Sequence, residues 1–94
     1  MTVETRSSRP PREILEAARD FFLGPDRVAD AWIESESETH LGLNTFRGNL
    51  SIAALPASDD GEETLVRITT LREEGIVPRL LAYLRLPSGT AGAA

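Results

Sequence analysis

The chain contains a single histidine, His40, and histidine is the side chain that most often transfers protons near neutral pH. His40 lies in an alternating, strand-like pattern beside Gly42, and no G-x-S-x-G turn is present to expose a nucleophilic serine. Glu73 and Glu74 offer an acid and a base, but adjacent carboxylates on a connecting segment are usually solvated. The sequence therefore favours a role other than catalysis, and no catalytic residue is predicted.

The residue types that are missing exclude several further chemistries. There is no cysteine, and all ten basic residues are arginine, which excludes thiol nucleophiles, disulfides, thiolate metal sites and lysine Schiff bases. One imidazole with scattered glutamates does not make a dedicated zinc site. No glycine-rich phosphate loop occurs. No metal and no cofactor are predicted.

The charge distribution limits the classes of partner. Residues 28–63 carry eight acidic side chains against Arg47 alone, a net charge of −7, while the flanking segments are neutral or mildly basic. An acidic middle repels phosphate, so nucleic acid is not an expected partner. No apolar run approaches the roughly 20 residues that span a bilayer. We expect no membrane insertion and a cytoplasmic location.

The first third of the chain predicts one helix. Residues 1–9 are polar and aperiodic, which predicts a mobile, disordered arm. Pro10 and Pro11 suit a first helical turn, and Gly24 favours a left-handed helix end. Between them, apolar residues recur at helical spacing, at Ile14, Ala17, Ala18, Phe21 and Phe22.

The segment from Asp26 to Ile33 fits two structures. Val28, Ala29, Ala31 and Trp32 suit a short helix, whereas alternate apolar residues up to Ile33 suit the start of a strand. A DNA-binding helix-turn-helix is disfavoured, because its second helix would carry acidic residues toward phosphate. Ser35–Glu38, with every second residue acidic, predicts a solvated turn or an exposed strand edge.

Three alternating segments predict strands. The pattern runs over 39–45, turns at Arg47-Gly48-Asn49, resumes from Leu50 until Pro56, and returns over 64–71 after an acidic loop. The period then changes to a helical stripe that ends near Leu86, and it starts either at Pro78, with Val77 as a poor cap, or at Gly75. Residues 87–94 have nothing to bury and are predicted to be disordered.

These elements predict one small α+β domain over residues 10–86. It has an N-terminal helix, a three- to four-stranded antiparallel sheet, and a C-terminal helix packed on one face of the sheet. Leu65 and Leu71, with Leu41 and Leu43 as further candidates, put apolar groups on more than one side. The second face is therefore expected either to self-associate or to curl around a cavity.

An antiparallel sheet that grips a C-terminal helix over Thr39–Leu86 resembles a shortened helix-grip domain of the START-like and polyketide-cyclase-like type. The resemblance is architectural and includes no diagnostic motif. It implies an apolar ligand held between the sheet and the helix. The chain lacks some of the strands that close such a cavity.

Two functions are compatible with these observations. The first is a protein-interaction or self-assembly module, with a homodimer or another protein as partner. The second is a domain that binds a small apolar ligand or lipid between the C-terminal helix and the sheet. The candidate ligand or interface residues are Trp32, Phe46, Val66, Ile68 and Leu81.

Overall fold

A computed structural model of the chain describes residues 2–24, 31–57, 63–72, 74–86 and 90–91. The described elements are β1 (Thr2–Ser7), α1 (Pro11–Leu23), β2 (Ala31–Glu36), β3 (His40–Thr45), β4 (Asn49–Pro56), β5 (Thr64–Leu71), a 3-10 turn (Glu74–Ile76), α2 (Val77–Leu84) and β6 (Thr90–Ala91). All strand pairs are antiparallel, in the order β2-β3-β4-β5-β1-β6. The predicted α+β class is confirmed. The sheet is larger than expected, with five strands of six residues or more and a two-residue sixth.

The prediction of a disordered arm at residues 1–9 is wrong for β1. This strand lies inside the sheet and pairs with β5 from Thr2–Thr69 to Ser7–Thr64. Val3 and Thr5 face the core and are 5% and 6% exposed. A single apolar residue gives little sequence signal, but the backbone hydrogen bonds to β5 compensate for the cost of ordering the segment.

The predicted disordered tail, residues 87–94, is also partly wrong. Thr90 and Ala91 form β6, which pairs with Glu4 and Val3 of β1. The other residues of the tail, 87–89 and 92–94, lie outside the described residues. A strand of two residues depends entirely on its neighbour, so no pattern within the tail could indicate it.

Helix α1 follows the prediction, and its residues Ile14, Ala18, Phe21 and Phe22 are buried. Its end differs in detail. Gly24 has an extended conformation, with φ −73° and ψ 176°, and not the left-handed one. Its N–H donates to the Asp20 carbonyl at 2.8 Å, and a Cβ on Gly24 would collide with that same oxygen. Glycine is required here for close approach, and not for positive φ.

Helix α2 begins at Val77, between the two predicted starts, and the 3-10 turn Glu74–Ile76 leads directly into it. It ends at Leu84 and is followed by Arg85, a left-handed residue with φ 57°. The Arg85 N–H donates to the Ala82 carbonyl at 3.1 Å, and the Leu86 N–H donates to Leu81 at 2.9 Å. These two bonds form a Schellman motif, and Leu81 and Leu86 are both buried beside it.

The ambiguity between helix and strand at Asp26–Ile33 is resolved only from Ala31 onward, where β2 begins; residues 25–30 lie outside the described residues. The β2 strand forms one edge of the sheet, and its pairing with β3 shifts between Ile33 and Ser35. Glu36 accepts from Arg19 of α1 at 2.7 Å. The prediction of an exposed acidic edge for Ser35–Glu36 is confirmed.

Burial alternates along the strands and separates two faces of the sheet. In β5, Thr64, Val66, Ile68 and Thr70 are buried, while the intervening residues are half-buried or exposed. The buried face meets α1 and α2 in one core that includes Ile14, Phe22, Leu80 and Leu84. We call the opposite face, on which neither described helix lies, the outer face.

No helix in the described part of the chain is long and apolar enough to cross a bilayer, and the cytoplasmic location stays a prediction.

Candidate functional site

The strand registers define which residues make up the outer face. Leu41, Leu43, Leu50 and Ile52 point to the core, so the residues between them point outward. The outer face thus comprises Trp32 and Ser35 of β2, His40, Gly42 and Asn44 of β3, Asn49, Ser51, Ala53 and Leu55 of β4, Leu65, Arg67, Thr69 and Leu71 of β5, and Thr2, Glu4 and Arg6 of β1.

An exposed aromatic pair lies at one end of this face. The rings of Trp32 and Phe46 are 5.3 Å apart between centroids, with their planes inclined by 65°. The side chain of Trp32 is 45% exposed and that of Phe46 is 86% exposed. Trp32 pairs with Asn44 across the strands, and Phe46 follows two residues later in the β3–β4 turn. The pair therefore depends on strand register and on the conformation of that turn.

The β3–β4 turn is held by the side chain of Thr45. Its hydroxyl oxygen accepts from the backbone N–H groups of Arg47 and Gly48, both at 3.1 Å. The Thr45 N–H in turn donates to the Gly48 carbonyl at 2.8 Å. These bonds fix the backbone on both sides of Phe46. The hairpin turn predicted at Arg47-Gly48-Asn49 is confirmed, with Asn49 as the first residue of β4.

Gly48 brings this turn against the end of β5. A Cβ on Gly48 would collide with the Leu71 carbonyl oxygen and lie 2.9 Å from the Cβ of Arg72. Leu71 pairs with Asn49 and is 57% exposed. Trp32, Phe46 and Leu71 thus project from the same end of the outer face, and three strand spacings of about 4.8 Å separate Trp32 from Leu71.

The outer face carries small side chains at the centre of β4, and the end opposite the aromatic pair is apolar. Gly42, Ser51 and Thr69 lie side by side on adjacent strands, and Ala53 follows Ser51 on the same face. At the far end Leu55 and Leu65 lie opposite each other, and Leu55 is 40% exposed. The next row along the strands carries the larger His40 and Arg67 on either side of Ala53, so the small side chains at the middle of the face are those of Ser51 and Ala53 on β4.

The charged residues that the structure describes on the outer face are paired within the chain. Arg67 lies 3.4 Å from Glu4 on the neighbouring strand, and Arg6 lies 3.0 Å from Glu63. All four side chains are between 41% and 63% exposed, so each pair is solvated and weak. The pairs nevertheless cancel, which leaves the outer face close to neutral in a chain of net charge −5.

A second surface feature is a shallow groove at the edge of the sheet, beside α1. It encloses about 170 Å³, and His40 and Leu41 line it together with residues of α1 and of the β2–β3 turn. Two ion pairs lie around it, Arg12 with Glu16 at 3.0 Å and Arg19 with Glu36 at 2.7 Å, and Glu38 also lines it. Among the described residues, no three His, Asp or Glu side chains converge to hold a metal ion.

His40 is half-buried and lies against Gly42, where a Cβ would be 3.2 Å from the imidazole Cε1 and 2.5 Å from the Ser35 hydroxyl. Because Gly42 has no side chain, the imidazole ring of His40 can lie across the sheet surface at this position. Of the two carboxylates considered with it, Glu74 belongs to the 3-10 turn before α2, and Glu73 lies outside the described residues.

The five candidate residues predicted from the sequence do not form one site. Trp32 and Phe46 are together on the outer face. Val66 and Ile68 have no exposed surface, and Leu81 is 7% exposed, so these three belong to the core. Leu41 and Leu43, considered for the second face, are also in the core. The prediction missed Leu55, although its alternation with Ile52 and Ala54 assigns it to the face of Leu65.

No family model matches this chain, and no characterised protein sequence matches it. The outer face is thus characterised by its own geometry. It combines an exposed aromatic pair, further apolar side chains at both ends, small residues at the centre of β4 and charged residues that are paired with each other.

Proposed function

We propose that the protein is a protein-interaction or self-assembly module that binds its partner through the outer face of its sheet. The observation that carries this proposal is the exposed pair of Trp32 and Phe46 on a face that neither described helix covers. Tryptophan, and aromatic residues in general, are enriched at the energetic centres of protein interfaces. A partner that covers this end of the sheet removes their apolar surface from water.

The apolar surface of the aromatic pair supplies part of the free energy of binding. An aromatic side chain can bury roughly 150–250 Å², so covering the exposed fractions of Trp32 and Phe46 removes on the order of 200–300 Å² from water. At about 25 cal/mol per Å² this contributes on the order of 5–7 kcal/mol. Association costs about 4–15 kcal/mol in lost freedom. The aromatic pair therefore needs further contacts, and Leu71, Leu55 and Leu65 supply apolar surface on the same face.

The alternative function, an apolar ligand between α2 and the sheet, has less support. A cavity large enough for water beside Val66 or Ile68 would leave these side chains with exposed surface, and both have none. The helix-grip resemblance stays a prediction. The C-terminal helix has only eight residues, which gives a ligand little length to lie along.

A photo-crosslinker at position 46 tests the proposed interaction surface. Phe46 is replaced by benzoylphenylalanine, an aromatic residue that its 86% exposure accommodates, and the protein is irradiated alone and in extract of the source cells. Tyr83, which is 51% exposed on α2, is replaced in the same way as the control.

We expect a discrete adduct from position 46, to a second copy of the chain or to another protein, that is lost when Trp32→Ala is added. Position 83 should give only diffuse background. Equal labelling from both positions, or an adduct at position 46 that survives Trp32→Ala, would contradict an interface centred on the aromatic pair.

A further inference from the structure

The outer face also indicates what kind of partner covers it, an inference that rests on the proposed function. We infer that the partner is a second copy of this chain, which packs outer face against outer face around a two-fold axis. Three properties of the outer face support this assignment. They are its distribution of charge, its size and its relief, by which we mean how far its side chains project.

Charge favours this face over the other surfaces for self-association. The chain carries a net charge of −5, and the exposed edge strand β2 carries Glu34 and Glu36, followed by Glu38 in the turn. Glu36 is paired with Arg19, but pairing of β2 with its own copy would still bring the carboxylates of Glu34 and Glu38 together, and acidic edge strands resist such pairing. On the outer face the pairs Glu4–Arg67 and Arg6–Glu63 cancel. Two copies can approach there without local repulsion.

The dimensions of the outer face suit a dimer of moderate strength. Five strands at about 4.8 Å spacing give a width of roughly 20–24 Å. Along β4, Leu55 follows Asn49 by six residues, and at about 3.4 Å per residue the face is roughly 20 Å long. The flat area is thus roughly 400–500 Å², and the relief of the side chains increases the accessible area toward the roughly 600–800 Å² per partner of small stable interfaces.

The relief of the face is compatible with two-fold packing. In an isologous dimer the same surface serves both copies, so residues near the axis face their own counterparts. On β4, the central strand of the face, that middle position is occupied by the small residues Ser51 and Ala53, with the larger His40 and Arg67 on either side of Ala53. Sheets that pack face to face lie about 10 Å apart, a distance that small central residues permit. The projecting aromatic and leucine side chains then fill the space toward the ends.

Sedimentation equilibrium of the purified chain tests the dimer. Ser51→Arg places a long charged side chain at the centre of the proposed interface, and Ser8→Arg places the same side chain in the exposed turn between β1 and α1. Over about 1–500 µM we expect the wild type and Ser8→Arg to form a reversible dimer with the same Kd, and Ser51→Arg to raise Kd by about 100-fold or more. Far-UV circular dichroism and Tm check that each variant is folded.

Failure of this inference can be distinguished from failure of the proposed function. A wild type that stays monomeric over this range overturns the dimer, whereas a Trp32-dependent adduct to another protein at position 46 still supports an interaction surface. A dimer of unchanged Kd in a folded Ser51→Arg variant assigns self-association to a different surface and also overturns the inference. Should Ser51→Arg fail to fold, Ala53→Arg on the same face replaces it, with the same expected loss of the dimer.

Discussion

Gly48 positions the aromatic end of the outer face, because its neighbours leave no space for a side chain. A Cβ there would collide with the Leu71 carbonyl oxygen. We therefore expect Gly48→Ala to lower the free energy of unfolding by about 2–3 kcal/mol. Gly75 is the matched control, since no atom would lie within 4 Å of its Cβ, and Gly75→Ala should raise the free energy of unfolding by about 0.4–1 kcal/mol. Urea denaturation measures both changes, and equal effects would contradict the close approach at Gly48.

The exposed aromatic residues Tyr83 and Phe46 differ in whether their rings contact the core. Tyr83 is 51% exposed, but its ring lies 5.2 Å from that of Phe21, which is buried in the core. Phe46 is 86% exposed, and its ring has only Trp32 as an aromatic neighbour among the described residues. Tyr83 therefore extends the core to the surface, while Phe46 contributes little to folding. This contrast is the residue-level reason for assigning the interaction to the sheet and not to α2.

At the level of elements, β1 is the strand that converts a four-stranded meander into the observed sheet. Val3 is 5% exposed and pairs with Ile68, whereas Thr2 points to the outer face. Val3→Ala should lower the free energy of unfolding by roughly 1–3 kcal/mol, and Thr2→Ala by less than about 0.5 kcal/mol. Chemical denaturation at equal protein concentration provides the comparison. If Val3→Ala has no effect, residues 2–7 do not belong to the folded core.

The helices and the strands β3, β4 and β5 could be predicted because each carries its own periodicity. Ile14, Ala18 and Phe22 follow the helical period, and Leu50, Ile52 and Ala54 follow the strand period. The strands β1 and β6 could not, because one has a single apolar residue facing the core and the other has only two residues. Both are determined by pairing with distant parts of the chain.

The candidate site was predictable in composition but not in arrangement. Trp32 and Phe46 stand out as isolated aromatic residues in a chain with few of them. Their contact depends on the register of β2 with β3, which changes at the irregularity between Ile33 and Ser35. Val66 and Ile68 alternate as the residues of a binding surface would, and only the positions of the helices assign them to the core.

For the whole molecule, the arrangement of charge predicts how association responds to salt. Two copies of net charge −5 repel each other at long range, even though their outer faces are nearly neutral. Screening extends over about 30 Å at 0.01 M salt and about 8 Å at 0.15 M. Raising NaCl over this range should therefore lower the dimer Kd several-fold, as measured by sedimentation equilibrium.

A double variant separates this effect from other influences of salt. Glu34 and Glu38 are exposed, and their replacement by glutamine changes the net charge from −5 to −3 without altering the outer face. The double variant should dimerise more tightly than the wild type at low salt and respond less to added NaCl. An interface held together by ion pairs between the copies would weaken with salt instead. That result would assign the contact to a surface where opposite charges of the two copies meet, and not to the neutral face on which Trp32 and Phe46 lie.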